Sequence, residues 1–219
     1  MADEVILLNF WLSPYGMRVR IALELKGIKY EIREENFSNK SPLLLQMNPV
    51  HKKVPVLMHN GKPICESLIA VEYVNEVWND QSPLLPSDPY QRAQARFWAN
   101  YVDTKVYESA IQFWTTEGEE KEAAKKDFLD YLKLLEEQME DKPYFGGDNF
   151  GLVDVALVPL FCFFYTYSAY TSFINEALYP KIIAWAKRCT QIESVSKCFP
   201  EEQKVQEYVA QKRKDLNRA

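Results

Sequence analysis

A serine followed by proline, Ser13-Pro14-Tyr15-Gly16, lies between the apolar run Val5 to Phe10 and an amphipathic segment ending at Lys26-Gly27. The hydroxyl therefore falls where a buried strand turns into a helix. Serine is a favoured N-cap, and proline is tolerated in the first turn, where its missing N–H is not needed. That turn also presents free N–H donors and a partial positive charge. Such a place favours a negative group, including the thiolate of a bound thiol, although a cap needs no ligand to explain it. A second polar pair, Glu66-Ser67, opens another helix and by itself reads as an ordinary cap. His51 and His59 lie away from Ser13 in sequence, so nothing near it would activate the hydroxyl as a nucleophile.

The elements that must hold these residues follow from the apolar pattern. Residues 3–10 read as a buried strand and Pro14 to Lys26 as a helix closed by Gly27, with an alternating strand at Ile28 to Arg33. A short helix begins near Ser41-Pro42. A strand starts at Pro55, turns at Asn60-Gly61 and returns through Pro63-Ile64-Cys65, because Asn-Gly suits the positive φ angles of a type I′ turn. The helix from Glu66-Ser67 carries Leu68, Val71, Val74 and Trp78 on one side. Prolines 83, 86 and 89 mark a linker, with Asp88 as a cap for the next helix. Beyond it the pattern is helical: 90–116, 121–141, an apolar central helix over 152–167 after the Pro143 to Gly147 turn, one from Pro180 to Cys189, and one from Glu201 to about Lys212. The fold class is α+β. A thioredoxin-like βαβ-α-ββα domain over 3–82 and a linker over 83–89 precede an all-α domain over 90–219.

Composition narrows the function. The 219 residues carry a net charge of -5, so no basic excess points to nucleic acid or an anionic membrane surface. The longest apolar stretch, Val155 to Tyr165, is shorter than the ~20 residues that span a bilayer. Cys65, Cys162, Cys189 and Cys198 form no C-x-x-C pair, which argues for a reducing compartment and against a zinc cluster or a dithiol site. The acidic start Met1-Ala-Asp-Glu lacks the features of a secretory signal. A cytosolic protein without a metal is expected.

Several motifs occur together in one order. Ser13-Pro14-Tyr15 follows the first strand, Asn48-Pro49 precedes Lys52-Lys53-Val54-Pro55-Val56-Leu57, and Glu66-Ser67 opens the third helix. In this the chain resembles the cytosolic glutathione transferases over nearly its whole length. With Phe10, Ser13, Lys40 and Lys53 it is similar to their plant tau class. The resemblance implies a homodimer that joins reduced glutathione, as co-substrate, to hydrophobic electrophiles in detoxification and stress, with hydroperoxide reduction open to the same thiolate. Ser13 would hold the glutathione thiolate as the catalytic residue. Lys40 and Lys53 would meet the glycine carboxylate, Val54 beside a cis proline the cysteinyl backbone, Ser67 the γ-glutamyl carboxylate and Glu66 the ammonium. The electrophile would lie against Phe10, Tyr15, Arg18, Tyr107, Ile111, Trp114, Phe163 and Tyr208. A carrier of hydrophobic ligands on the same fold is the alternative. A thiol oxidoreductase would want cysteine where Ser13 stands. The family's serine or threonine cap on the central helix is Gly151 here, with Asp154 three residues on.

Overall fold

A computed structural model describes residues 3–79, 82–166 and 173–216, with the side chains of 162–166, 209 and 212–216 left aside. Its first half is a four-stranded sheet with helices. In chain order it runs β1 (Val5–Asn9), α1 (Pro14–Leu25), β2 (Glu31–Glu34), α2 (Pro42–Met47), β3 (Val56–His59), β4 (Lys62–Cys65) and α3 (Ser67–Val77). The spatial order is β2-β1-β3-β4; β2 is parallel to β1, and the other two pairings are antiparallel. This is the expected thioredoxin-like arrangement. Leu7 faces Leu57 and Leu8 faces Val56 across the two central strands, and all four are buried.

Local chemistry explains the boundaries. Ser13, Ser41 and Asp88 each precede a proline and cap α1, α2 and the next helix. At the end of α1 the Gly27 N–H donates to Glu24 O and the Ile28 N–H to Leu23 O, with Gly27 at φ 64°. This paired closure requires a left-handed residue. Asn60 and Gly61 both take positive φ at the β3–β4 turn. Pro63 lies in β4, an edge strand, where its missing N–H costs no ladder bond. The second strand lies later than the alternation of 28–33 indicates. Ile28 and Tyr30 pack on the core ahead of β2, and the strand itself is exposed.

The second half is helical: α4 (Pro89–Tyr101), a π-helical stretch (Val102–Tyr107), α5 (Glu108–Thr115), α6 (Gly118–Gln138), α7 (Leu152–Thr166), α8 (Pro180–Cys189), α9 (Glu193–Ser196) and α10 (Glu202–Leu216). The single helix expected over 90–116 is thus interrupted. The wider π turn carries Asp103, which is bonded to Arg18 of α1, and such turns recur where a helix serves a site. Central α7 is buried along Val153 and Val155 to Val158. At its start the Asp154 carboxylate accepts the N–H groups of Gly151 (2.8 Å) and Phe145 (3.1 Å) and Trp185 Nε1–H (2.7 Å). Burial outweighs these three donors and lifts Asp154 to about 6. Gly151 fits for a steric reason. A Cβ there would lie 3.2 Å from Leu84 O, the same carbonyl that accepts the Leu152 N–H. The linker therefore closes directly onto the first turn of α7.

Candidate functional site

Ser13 sits at the junction between β1 and α1. Its N–H donates to Phe10 O at 2.7 Å, which makes the turn, and its carbonyl accepts the Met17 N–H. Its Oγ accepts the Gly16 N–H at 3.2 Å, and the residue is 7% exposed. The hydroxyl thus uses a lone pair for the cap and keeps its proton to donate. That proton lies at the positive end of α1. Gly16 is required by packing, because a Cβ there would come within 2.0 Å of Oδ1 of buried Asn9.

The Val54-Pro55 peptide is cis and stands directly before β3. The loop that leads to it is held by buried Asn48. Its Nδ2 donates to Lys53 O, its Oδ1 accepts the His51 N–H and its carbonyl accepts the Lys52 N–H. Lys53 leaves this loop exposed, and Lys40 is exposed on the loop before α2. Neither makes an ion pair among the described residues, so both remain open to an anion. Glu66 caps nothing with its side chain. It sits at φ 68° with its carboxylate exposed, 3.6 Å from His51 Nε2. Ser67 is buried at the first position of α3, and its Oγ accepts Arg18 Nη1–H at 3.1 Å.

Arg18 is not part of a pocket wall, which corrects the sequence expectation. It is 0% exposed. Its Nε donates to Ala156 O at 3.0 Å, and Nη1 donates to Ser67 Oγ and, at 2.7 Å, to Asp103 Oδ1. The Tyr107 and Tyr15 rings lie 4.4 Å and 5.0 Å from its guanidinium carbon. Without water the guanidinium turns to the protein: Nε and Nη1 find partners on α3, the π stretch and α7, while Nη2 is buried without one among the described residues. Burial works against its charge, but Tyr107 and Asp103 outweigh it, and the Arg18 pKa rises. Tyr107 is likewise interior, and burial raises both its hydroxyl and that of Tyr15, so both rings stay neutral. Arg18 thus sets a positive charge behind Ser67, at the N-terminus of α3.

On the other side of Ser13, Phe10 meets Tyr208 of α10 at 6.0 Å between ring centres, and Phe37 at 4.3 Å. Trp11 meets Tyr208 edge-on at 5.6 Å, with Lys204 over its face. Ile111, exposed, and Trp114, half-buried, lie one helical turn apart on α5. The Phe163 side chain lies outside the described residues. Sequence reasoning missed Asp103, Trp11 and Phe37, and it named Asn48 as part of a motif without its role in holding the loop. An aromatic within a polar run was the sequence signal for Phe37, which the structure leaves 54% exposed.

Residues 3–76 match the family described as glutathione S-transferase, N-terminal domain, and residues 93–193 the corresponding C-terminal domain. The chain is 62% identical over 208 residues to a probable glutathione S-transferase, parC, of Nicotiana tabacum, covering 94% of each. It is 57% identical over 214 residues to glutathione S-transferase U19 of Arabidopsis thaliana, covering 98% of each. Among solved structures it is similar to Rice GST1 in complex with glutathione (TM-score 0.90, 42% identity, 98% of each chain). It is also similar to the tau-class glutathione S-transferase of mango, Mangifera indica (TM-score 0.88, 43% identity, 94% of this chain and 97% of that one).

Proposed function

This chain belongs to the glutathione S-transferase family, in its plant tau class, and from that premise we propose how its residues divide the work. It is a transferase whose co-substrate is reduced glutathione. The thiol of glutathione has a pKa near ~8.5 in water, so little of it is the nucleophilic thiolate at neutral pH. Lowering that pKa by about two units takes roughly 2.7 kcal/mol of stabilisation given to the anion alone. Ser13 supplies it. The observation that carries this reading is the Gly16 N–H bond to Ser13 Oγ, which leaves the hydroxyl proton for the sulfur at a helix N-terminus. The thiol proton goes to solvent, the sulfur forms a bond to the electrophilic carbon, and the leaving group departs with its electron pair.

Ser67, with Arg18 behind it, receives the γ-glutamyl carboxylate, and Glu66 receives the ammonium. Lys40 and Lys53 meet the glycine carboxylate as point charges. Val54 pairs with the cysteinyl backbone as an added strand does. Hydrophobic electrophiles enter against Phe10, Tyr15, Ile111, Trp114 and Tyr208, with Phe37 at the rim. Residues 3–82 form the glutathione-binding domain, joined through 83–89 to the helical domain of 90–219. The protein works in the cytosol as a homodimer. Exposed Ile69 of α3 and Phe97 of α4 flank the Arg96–Glu72 ion pair, a mixed face suited to a second copy.

The test is conjugation of glutathione to a generic aryl halide. Ser13→Ala should retain glutathione binding and lose most turnover, while the bound thiol titrates near its value in water. A fully active Ser13→Ala refutes the assignment of the thiolate donor. Binding of glutathione and hydrophobic dyes by the wild type without turnover would favour a carrier.

A further inference from the structure

Loop 36–40 joins β2 to α2 and carries two residues of the site, Phe37 and Lys40. Glu35 closes its neck. The Glu35 N–H donates to Asn9 O at 2.7 Å and ties the neck to the end of β1. The Glu35 carboxylate then accepts twice from one residue: the Ser41 N–H at 3.0 Å and the Ser41 hydroxyl at 2.5 Å. Ser41 Oγ in turn accepts the Leu44 N–H at 3.0 Å, which caps α2. Inside the loop, Asn36 accepts the Ser38 N–H on its side chain and the Asn39 N–H on its carbonyl. Glu35 is 8% exposed and makes no ion pair among the described residues. Burying a carboxylate is costly unless hydrogen bonds compensate. Here both oxygens go to Ser41, and they fix the place where loop 36–40 rejoins the fold. Lys40 is the neighbour of Ser41, so the direction of its stem is set at that point.

We propose that Glu35 is a positioning residue for glutathione: its clasp on Ser41 holds Lys40 over the glycine carboxylate of the tripeptide. The proposal rests on the reading of Lys40 given above. Glu35 itself does not touch the substrate. A long lysine side chain on an unpinned loop would still attract an anion, but from many positions and at an entropic cost. The clasp removes that freedom before the ligand arrives.

The test compares two thiols, glutathione and γ-glutamylcysteine, which lacks the glycine residue and its carboxylate. Lys40→Met sets the reference, because it should raise KM for glutathione and leave KM for the dipeptide unchanged. Glu35→Gln keeps the shape but replaces one accepting oxygen with an NH₂ group. It should raise KM for glutathione about fivefold, with kcat and the KM for γ-glutamylcysteine within about twofold of wild type. Ser41→Ala cuts the same clasp from the other side and should split the two thiols in the same sense, which keeps the test available if Glu35→Gln folds poorly. If Lys40→Met separates the thiols and neither clasp variant does, the clasp proposal is overturned and the Lys40 reading stands. If the clasp variants weaken both thiols equally, Glu35 is structural only. If Lys40→Met itself shows no separation, the reading of Lys40 fails and the proposal falls with it.

Discussion

The Arg18–Asp103 pair is asymmetric, and that asymmetry can be measured. The Arg18 side chain is 0% exposed, whereas that of Asp103 is 33% exposed. The two atoms are 2.7 Å apart, for which Coulomb's law at an effective dielectric of ~20 gives a gross attraction of about 6 kcal/mol. Desolvation of the guanidinium offsets much of this, so the net worth of the pair is far smaller. Removing one partner is a different matter. Asp103→Ala strands a buried cation with Ala156 O and Ser67 Oγ as its remaining acceptors. The cost should be about 3 kcal/mol, at the low end for a broken buried pair because water already reaches Asp103. For a chain of this size that corresponds to a fall in Tm of roughly 6–12 °C. Arg18→Met instead leaves a carboxylate that water can hydrate and an apolar side chain in an interior position. It should cost about 2 kcal/mol less than Asp103→Ala. In the Arg18→Met background, Asp103→Ala should be nearly neutral. The assay is urea unfolding of the two single variants and the double variant, with KM for glutathione read in parallel. Arg18→Met should raise that KM, since Ser67 loses the charge behind it. Equal costs for the two single variants, or additive costs in the double variant, would refute the claim that a buried cation is what Asp103 satisfies.

Three further outcomes follow from the packing. Burial lifts Asp154 to about 6 from 3.8, so its share of stability is fully present below about pH 3.8 and is lost as pH rises through 6. Relative to Asp154→Asn, the wild type should therefore lose about 2 kcal/mol of unfolding free energy between pH 4 and 7, and a pH-independent difference would contradict this. Gly16→Ala should cost about 1–3 kcal/mol and much of the activity, because its Cβ must displace Asn9 Oδ1 from a buried position; thermal unfolding together with the aryl halide assay decides it. Ile111→Ala should lower kcat/KM for a large apolar electrophile about tenfold and leave the KM for glutathione unchanged. Equal losses for a small polar electrophile would remove Ile111 from the pocket.

What could be read in advance was what the chain settles locally. The three Ser-Pro and Asp-Pro starts, the Asn60-Gly61 turn and the Gly27 closure each depend on a few neighbouring residues, and each appears where its residue types place it. The interrupted helix over 90–116 has no such local cause. Its π turn brings Asp103 to Arg18, a partner 85 residues away, and nothing in the sequence around 102–107 names that partner. Arg18 did leave a trace. It shares the inward side of α1 with Met17, Ile21 and Ala22, and a cation on an apolar stripe implies a buried acceptor. The sequence shows the need for that acceptor but not its identity, so Arg18 was expected at a pocket wall. Glu35 is hidden for the opposite reason: it stands in a polar run and reads as solvated, and only the return of the chain to Ser41 buries it.

Ser13 combines both kinds of information. Its place as a cap is local, and the cap bond itself constrains the chemistry. With the Gly16 N–H on one lone pair of Oγ, the hydroxyl proton must point away from the helix turn, toward whatever lies before the first turn of α1. A residue that merely capped the helix could be replaced by aspartate, which accepts the same N–H. Aspartate, however, carries no proton to donate at neutral pH and sets a negative charge where a thiolate must form. Ser13→Asp should therefore keep the stability of the wild type within about 1 kcal/mol while abolishing conjugation. An active Ser13→Asp variant would show that the helix N-terminus alone holds the sulfur.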